Sequence, residues 1–202
     1  MDATKLNKDR NLLFFIDTVV FHFSFLKNWG FSCVEKNLFN VKFQSKNCMI
    51  IFYHDERSYE IEVKFQKPEQ IEDYSIFELL KLLKLNNVVE ERLFVASSFE
   101  NVVHGVKLLS NIFQNNFKKC IFKDINLFIQ LHNQRVEINK IYYKKMEIEK
   151  FRLCLQKAWD KKDYKLVIES AKTINEKDMF QSEIAKICYA RNKIKEHGVM
   201  VL

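Results

Sequence analysis

The segment CMIIFYHDERSYEIEVKF, from Cys48 to Phe65, decides the fold. Between Tyr59 and Phe65 every second residue is apolar and the residues between them are charged. That period of two is typical of a β-strand with one solvated face. The run from Met49 to Tyr53 is apolar at every position, which predicts a central strand covered on both faces. The segment therefore predicts an antiparallel hairpin, with an ordinary polar turn at HDERS, residues 54–58.

The flanking sequence extends this hairpin into an α+β fold. Residues 11–28 predict an N-terminal helix, and the stretches 31–36 and 40–45 alternate as further strands. The hairpin thus belongs to an antiparallel meander of three or four strands, and helical patterns dominate the rest of the chain. We expect an α+β subdomain at 1–95 and a helical subdomain at 96–202, packed around one shared core.

Composition places the chain among globular cytoplasmic proteins. Apolar residues make up 48% and charged residues 29% of the 202 positions. The five cysteines are scattered without a C-x-x-C pair, which favours free, mostly buried thiols in a reducing compartment. The apolar run at 12–16 is shorter than a signal peptide or a membrane span requires, so neither is expected.

The sequence contains no pattern that predicts catalysis. The three glycines are isolated and cannot build a phosphate-binding loop, and the five histidines lie far apart without zinc-ligand spacing. We therefore expect no catalytic residues, no metal site and no cofactor. A non-enzymatic role as a binding protein is the interpretation that follows.

Acidic residues concentrate around the hairpin and suggest a docking surface. Residues 55–91 contain ten acidic and five basic side chains, a local net charge of −5 in a chain of net charge +7. Two carboxylates on one strand face can steer a basic partner, but the pattern also fits a solvated sheet face or a face that pairs with the protein's own basic helices. The candidate partner-binding residues are Asp55, Glu56, Glu60 and Glu62.

A basic segment offers an alternative surface for nucleic acid. Residues 118–165 contain thirteen basic and six acidic side chains, a local net charge of +7. Lysines interleaved with aromatic rings can bind phosphates and stack on bases, whereas lysines paired with nearby acids form an ordinary solvated helix face. The candidate nucleic-acid-binding residues are Lys140, Tyr143, Lys144 and Lys145.

The C-terminal part predicts a helical hairpin. The helical pattern runs from 124 to 160 with an interruption near 132–135, and a further helix is expected over 179–195. The sequence AWDKKDY at 158–164, followed by Val167, Ile168 and Ala171, resembles one helix–turn–helix unit of the tetratricopeptide family. One unit is not a repeat array, so the resemblance implies little about function. A helical adaptor that uses this hairpin to grip a peptide or helix is a further alternative for the chain.

As a whole, the chain resembles the small bacterial immunity proteins of toxin–immunity pairs, including those of contact-dependent growth inhibition. The similarity lies in its size, its richness in Lys, Asn and Phe, the lack of catalytic motifs and the acidic strand face. It implies a protein that binds a cognate toxin domain, often a nuclease, and blocks its active site. Given the net charge of +7, either the local acidic region makes the contact or the toxin is itself acidic.

Overall fold

The computed structural model describes residues 10–85, 94–117 and 126–198. It confirms the α+β fold: an N-terminal helix and an antiparallel sheet precede a mostly helical second half. The chain divides into two compact units, residues 1–135 and 136–202.

The sheet contains six described strands that all pair in antiparallel fashion. Five form a meander in the order β1-β2-β3-β4-β5, and the short β6 pairs with β4 beside β5. The strands are β1 (Ser32–Asn37), β2 (Asn40–Gln44), β3 (Met49–His54), β4 (Glu60–Gln66), β5 (Asp73–Ser75) and β6 (Phe94–Val95).

Six α-helices lie within the described residues, and local sequence signals explain several of their ends. They are α1 (Phe15–His22), α2 (Ile76–Leu82), α3 (Phe99–Ile112), α4 (Leu127–Asp160), α5 (Tyr164–Ala171) and α6 (Gln181–Gly198). A 3-10 turn, Ser24–Trp29, follows α1 and stops at Gly30, whose φ of 80° suits glycine. Ser75 and Glu78 form the capping box that begins α2.

The core of the first unit lies on one face of the sheet, which we call the inner face. Phe23 follows α1, and its ring centroid lies 4.2 Å from that of Phe52 on β3. Phe113, just after α3, stacks on Phe65 of β4 with ring centroids 5.7 Å apart. These rings are completely buried, so helices and sheet share one aromatic core.

Within the described residues, strand β3 is fully buried on one face only, so the prediction of a strand buried on both faces is wrong. Ile50 and Phe52 are fully buried, whereas Met49, Ile51 and Tyr53 are half-buried on the opposite face. The core-forming helices pack on the side of Ile50 and Phe52, so an uninterrupted apolar run does not require two covering layers here.

The division into units differs from the boundary expected at 95. Helix α3 belongs to the first unit because Val102, Val106 and Leu109 are buried in the core that the sheet shares. Buried apolar residues of the described chain form one cluster within 13–131 and another within 151–190. Helix α4 runs through 132–135 without the predicted interruption.

The second unit contains the remainder of α4 together with α5 and α6. Phe151, Leu155 and Ala158 of α4 are buried with residues of the other two helices. Asp163 caps α5 by accepting a hydrogen bond from the backbone N–H of Leu166. The helix–turn–helix predicted around 158–164 is therefore present in the form α4–turn–α5.

Candidate protein-binding surface

The tip of the β3–β4 hairpin is shaped by the carboxylate of Asp55. Its Oδ1 accepts hydrogen bonds from the backbone N–H groups of Arg57 and Ser58, at 2.8 and 2.7 Å, and from the Ser58 hydroxyl at 3.0 Å. These donors lower the pKa of Asp55. Asp55 thus organises the turn, while Glu56 beside it is exposed.

The buried side chain of Arg10 stabilises the same tip through hydrogen bonds to its backbone, a contact that we call the brace. Arg10 is only 3% exposed, and its Nη2 donates to the carbonyl oxygens of Asp55 and Glu56 at 2.7 and 2.5 Å. The guanidinium lies 3.7 Å from the centre of the Tyr59 ring. Arg10 therefore ties the N-terminal segment to the turn that carries the acidic residues.

His54 occupies the inner face and completes this brace, so its assignment to a polar turn is wrong. The side chain is 1% exposed, and its Nε2 lies 3.1 Å from the carbonyl oxygen of Ala96, to which it donates. Nδ1 is then the acceptor for Arg10 Nη1, 3.3 Å away. Burial, with the nearby Arg10 charge, lowers the pKa of His54 to about 4, so the ring is neutral near pH 7.

Sequence reasoning missed this Arg10–His54 brace, although the strand pattern contains a signal for it. Ile50, Phe52 and His54 are alternate residues of one strand, so a strand that includes His54 directs its ring toward the core. Arg10, which lies 44 residues away from His54, leaves no comparable pattern.

The opposite face of the sheet, which we call the outer face, combines an apolar stripe with charged neighbours. Tyr53 lies directly across from Glu62, and Ile51 lies directly across from Lys64. All the side chains of this face that β3 and β4 contribute are half-buried: Met49, Ile51 and Tyr53 from β3, and Glu60, Glu62, Lys64 and Gln66 from β4.

The carboxylates of the outer face retain much of their capacity to bind. The Ser58 hydroxyl lies 3.0 Å from Glu60 and 3.0 Å from Asp55, so its single proton is shared between the two carboxylates. Glu62 lies 3.9 Å from Lys64, whose ammonium is closer to Asp73, at 3.4 Å. The Ser58 donor is neutral, and the contact between Glu62 and Lys64 is long and partly exposed. Neither contact stabilises its carboxylate strongly. The structure therefore places Glu60 and Glu62 together, close to the turn with Asp55 and Glu56.

A groove of about 390 Å³ opens beside Glu62, where β4 and β5 meet the start of α2. Its lining includes three carboxylates, one ammonium group and an aromatic ring: Glu62, Asp73, Glu78, Lys64 and Phe77. Because carboxylates outnumber ammonium groups in its lining, the groove extends the acidic character of the outer face.

Arg135 fixes the corner of the groove through a dense polar network. Its guanidinium contacts both carboxylate oxygens of Glu78, at 2.6 and 2.7 Å, and donates to the carbonyl oxygen of Asp73 at 2.6 Å. It also lies over the Tyr74 ring and 3.2 Å from Glu72. Although burial opposes it, hydrogen bonding with Arg135 and Ser75 lowers the pKa of Glu78.

Two of the four alternative nucleic-acid-binding residues have acidic partners. Lys140 pairs with Glu137 and Lys144 with Asp178, both at 2.7 Å. Tyr143 and Lys145 are exposed, but successive helical positions are about 100° apart, so Lys144 and Lys145 point in different directions. Two of the three ammonium groups are thus already matched by acids of the same unit.

Three of the four described cysteines are exposed, which corrects the expectation of mostly buried thiols. Cys33 lies on β1, whose residues are exposed on both faces, and Cys154 and Cys188 lie on helix surfaces. Cys48 is buried, and burial raises the pKa of its thiol to about 12. The fifth, Cys120, lies outside the described residues.

The described residues contain neither a metal-binding cluster nor a helix that could span a membrane. Within 10–85, 94–117 and 126–198, no group of three His, Cys, Asp or Glu side chains is arranged to hold a metal ion. None of the helices described there is both long and apolar enough to span a bilayer.

No protein-family model matches the chain, and neither a curated protein nor a solved structure is significantly similar to it.

Proposed function

We propose that this protein is a non-catalytic binding protein whose outer sheet face docks a partner protein bearing basic residues. In its most specific form, the proposal is that the partner is a toxin domain, which the protein neutralises as immunity proteins do. The observation that carries the proposal is that one sheet face combines a half-buried apolar stripe with two glutamates, for which the described part of the chain supplies no strong ion pair.

The chemistry of the outer face suits a protein partner. Met49, Ile51 and Tyr53 offer apolar surface that loses water on contact, and Tyr and Met are enriched at interfaces. Glu60 and Glu62 border this stripe, where carboxylates attract Lys and Arg during the approach and fix the register afterwards. The local charge of −5 over 55–91 explains how a chain of net charge +7 can still attract a basic partner.

The face is also held rigidly, which lowers the entropic cost of binding. The strands are paired along their length, and Arg10 with His54 fixes the hairpin tip beneath Asp55 and Glu56. A side chain that is already ordered before contact loses less conformational freedom when the complex forms. Rigid acidic groups of this kind support specific recognition of one partner.

The proposal is tested with the protein encoded immediately upstream, because immunity genes usually follow the gene of their toxin. Binding of this purified protein is measured by calorimetry for the wild-type chain and for Glu60→Lys/Glu62→Lys. A control variant, Glu149→Lys/Glu169→Lys, makes the same change of net charge at exposed positions of the second unit. Growth of cells that express the toxin, with each variant present, reports on neutralisation.

We expect the outer-face variant to weaken binding by roughly tenfold or more and to lose protection, while the control keeps both. Equal binding and protection by the two variants would contradict docking on the outer face. A chain that fails to bind the upstream protein, but binds nucleic acid with a steep dependence on salt, would overturn the proposed function altogether.

A further inference from the structure

A second surface of the chain, on helix α4, carries large apolar side chains that the described structure leaves exposed. Tyr143 is 65% exposed, Met146 48% and Leu153 63%. They lie along one side of the helix, which differs from the side that buries Phe151 and Leu155 in the core of the second unit. A groove of about 390 Å³ opens beside this row, between α4 and α5.

The spacing of these residues predicts that another helix covers them. Val136, Tyr143 and Lys150 follow each other at intervals of seven, as do Asn139, Met146 and Leu153. The two series alternate at spacings of three and four, which is the pattern of a seam between two packed helices. We call these six positions the helix stripe: Val136, Asn139, Tyr143, Met146, Lys150 and Leu153.

The helix stripe is complementary to itself when two copies run in opposite directions. With a twofold axis between Lys144 and Lys145, every apolar position meets an apolar one and every polar position meets a polar one. The facing pairs, with one residue from each copy, are Val136 with Leu153, Tyr143 with Met146, and Asn139 with Lys150.

Charges beside the helix stripe favour the same arrangement. Lys140 and Glu147 flank the seam on one edge, and both are exposed. In the antiparallel pair Lys140 of each copy faces Glu147 of the other, which gives two opposite-charge contacts. A parallel pair in register would instead place Lys150 against Lys150 in the seam, which is unfavourable.

We propose that the helix stripe docks a second copy of this chain, forming an antiparallel helix pair and a homodimer. This inference rests on the second unit alone and does not depend on the function proposed for the outer sheet face.

The 202-residue chain is studied by sedimentation equilibrium and by light scattering after size exclusion, up to its highest soluble concentration. Tyr143→Lys places a charge in the seam. Its matched control is Ile141→Lys, since Ile141 is 70% exposed but lies two residues away, on the opposite side of the helix. A third variant, Lys140→Glu, sets Glu against Glu147, and Lys140→Glu/Glu147→Lys restores opposite charges.

We expect the wild-type chain to form a dimer, and we expect Ile141→Lys and Lys140→Glu/Glu147→Lys to form it with the same affinity. Tyr143→Lys and Lys140→Glu should each raise the dimer dissociation constant by roughly tenfold or more. A monomer at every concentration would overturn the inference. So would a dimer that Tyr143→Lys and Lys140→Glu leave unchanged, provided that circular dichroism shows both variants folded.

Discussion

The buried His54 predicts a specific loss of stability in mild acid. Its pKa is about 4 in the folded chain and about 6.5 in a solvated chain, because burial and the Arg10 charge disfavour the imidazolium ion. Between these values the unfolded chain binds a proton that the folded chain refuses, so the free energy of unfolding falls as the pH falls. A difference of about 2.5 units corresponds to about 3 kcal/mol, lost between about pH 6.5 and pH 4.

The assay is urea unfolding followed by circular dichroism at intervals of pH, for the wild-type chain and for His54→Gln. Glutamine keeps an N–H donor for the Ala96 carbonyl and an oxygen acceptor for Arg10, but it does not titrate. His22, whose pKa burial also lowers, contributes equally to both chains and cancels in the difference. The stability advantage of the wild-type chain over His54→Gln should therefore shrink by about 3 kcal/mol across this window. A difference that stays constant to within about 0.5 kcal/mol would refute the reasoning.

Three further predictions concern stability, each measured as the free energy of unfolding in urea. Arg135→Ala should lower the free energy of unfolding by about 2 kcal/mol because it leaves the half-buried Glu78 carboxylate unpaired. Lys140→Ala removes an exposed ion pair and should lower it by less than about 0.5 kcal/mol. Equal losses would contradict the structural importance of the Arg135 network. Ile50→Asp should unfold the protein and Ile51→Asp should not, because they lie on the inner and outer faces of the same strand; two unfolded variants would show that the outer face is also covered. Gly30→Ala should cost about 1 kcal/mol from its φ of 80° alone, since a Cβ there meets no atom within 4 Å; a much larger loss would indicate a steric clash that the structure does not contain.

The hairpin was predictable from sequence because alternation along a strand reports directly which side chains face the core. Ile61, Val63 and Phe65 are buried and the residues between them are half-exposed, as the pattern predicts. The uninterrupted apolar run of β3 led to a wrong prediction because the sequence alone does not distinguish an apolar residue on a partly solvated face from one under a second layer. Periodicity records which residues are apolar, while the packing of distant helices determines which faces they cover.

The candidate site was predictable only in part. Glu60 and Glu62 lie on the same exposed side because residues two apart on a strand must do so. The brace by Arg10 and the network of Arg135 join residues 44 to 63 positions apart, and no local pattern records such contacts. The boundary between the units was not predictable for the same reason. Each buried cluster joins residues that are distant in sequence, so no local pattern indicates that the first unit continues beyond 95 to 135.

The most direct test of docking on the outer face is methyl NMR of the isoleucine-labelled protein, titrated with the purified upstream protein. Ile51 lies on the outer face, while Ile141 and Ile148 lie on α4 in the second unit. We predict that the Ile51 methyl signal shifts or broadens on binding while those of Ile141 and Ile148 keep their positions. Binding that moves the α4 signals and leaves Ile51 unchanged would contradict the account.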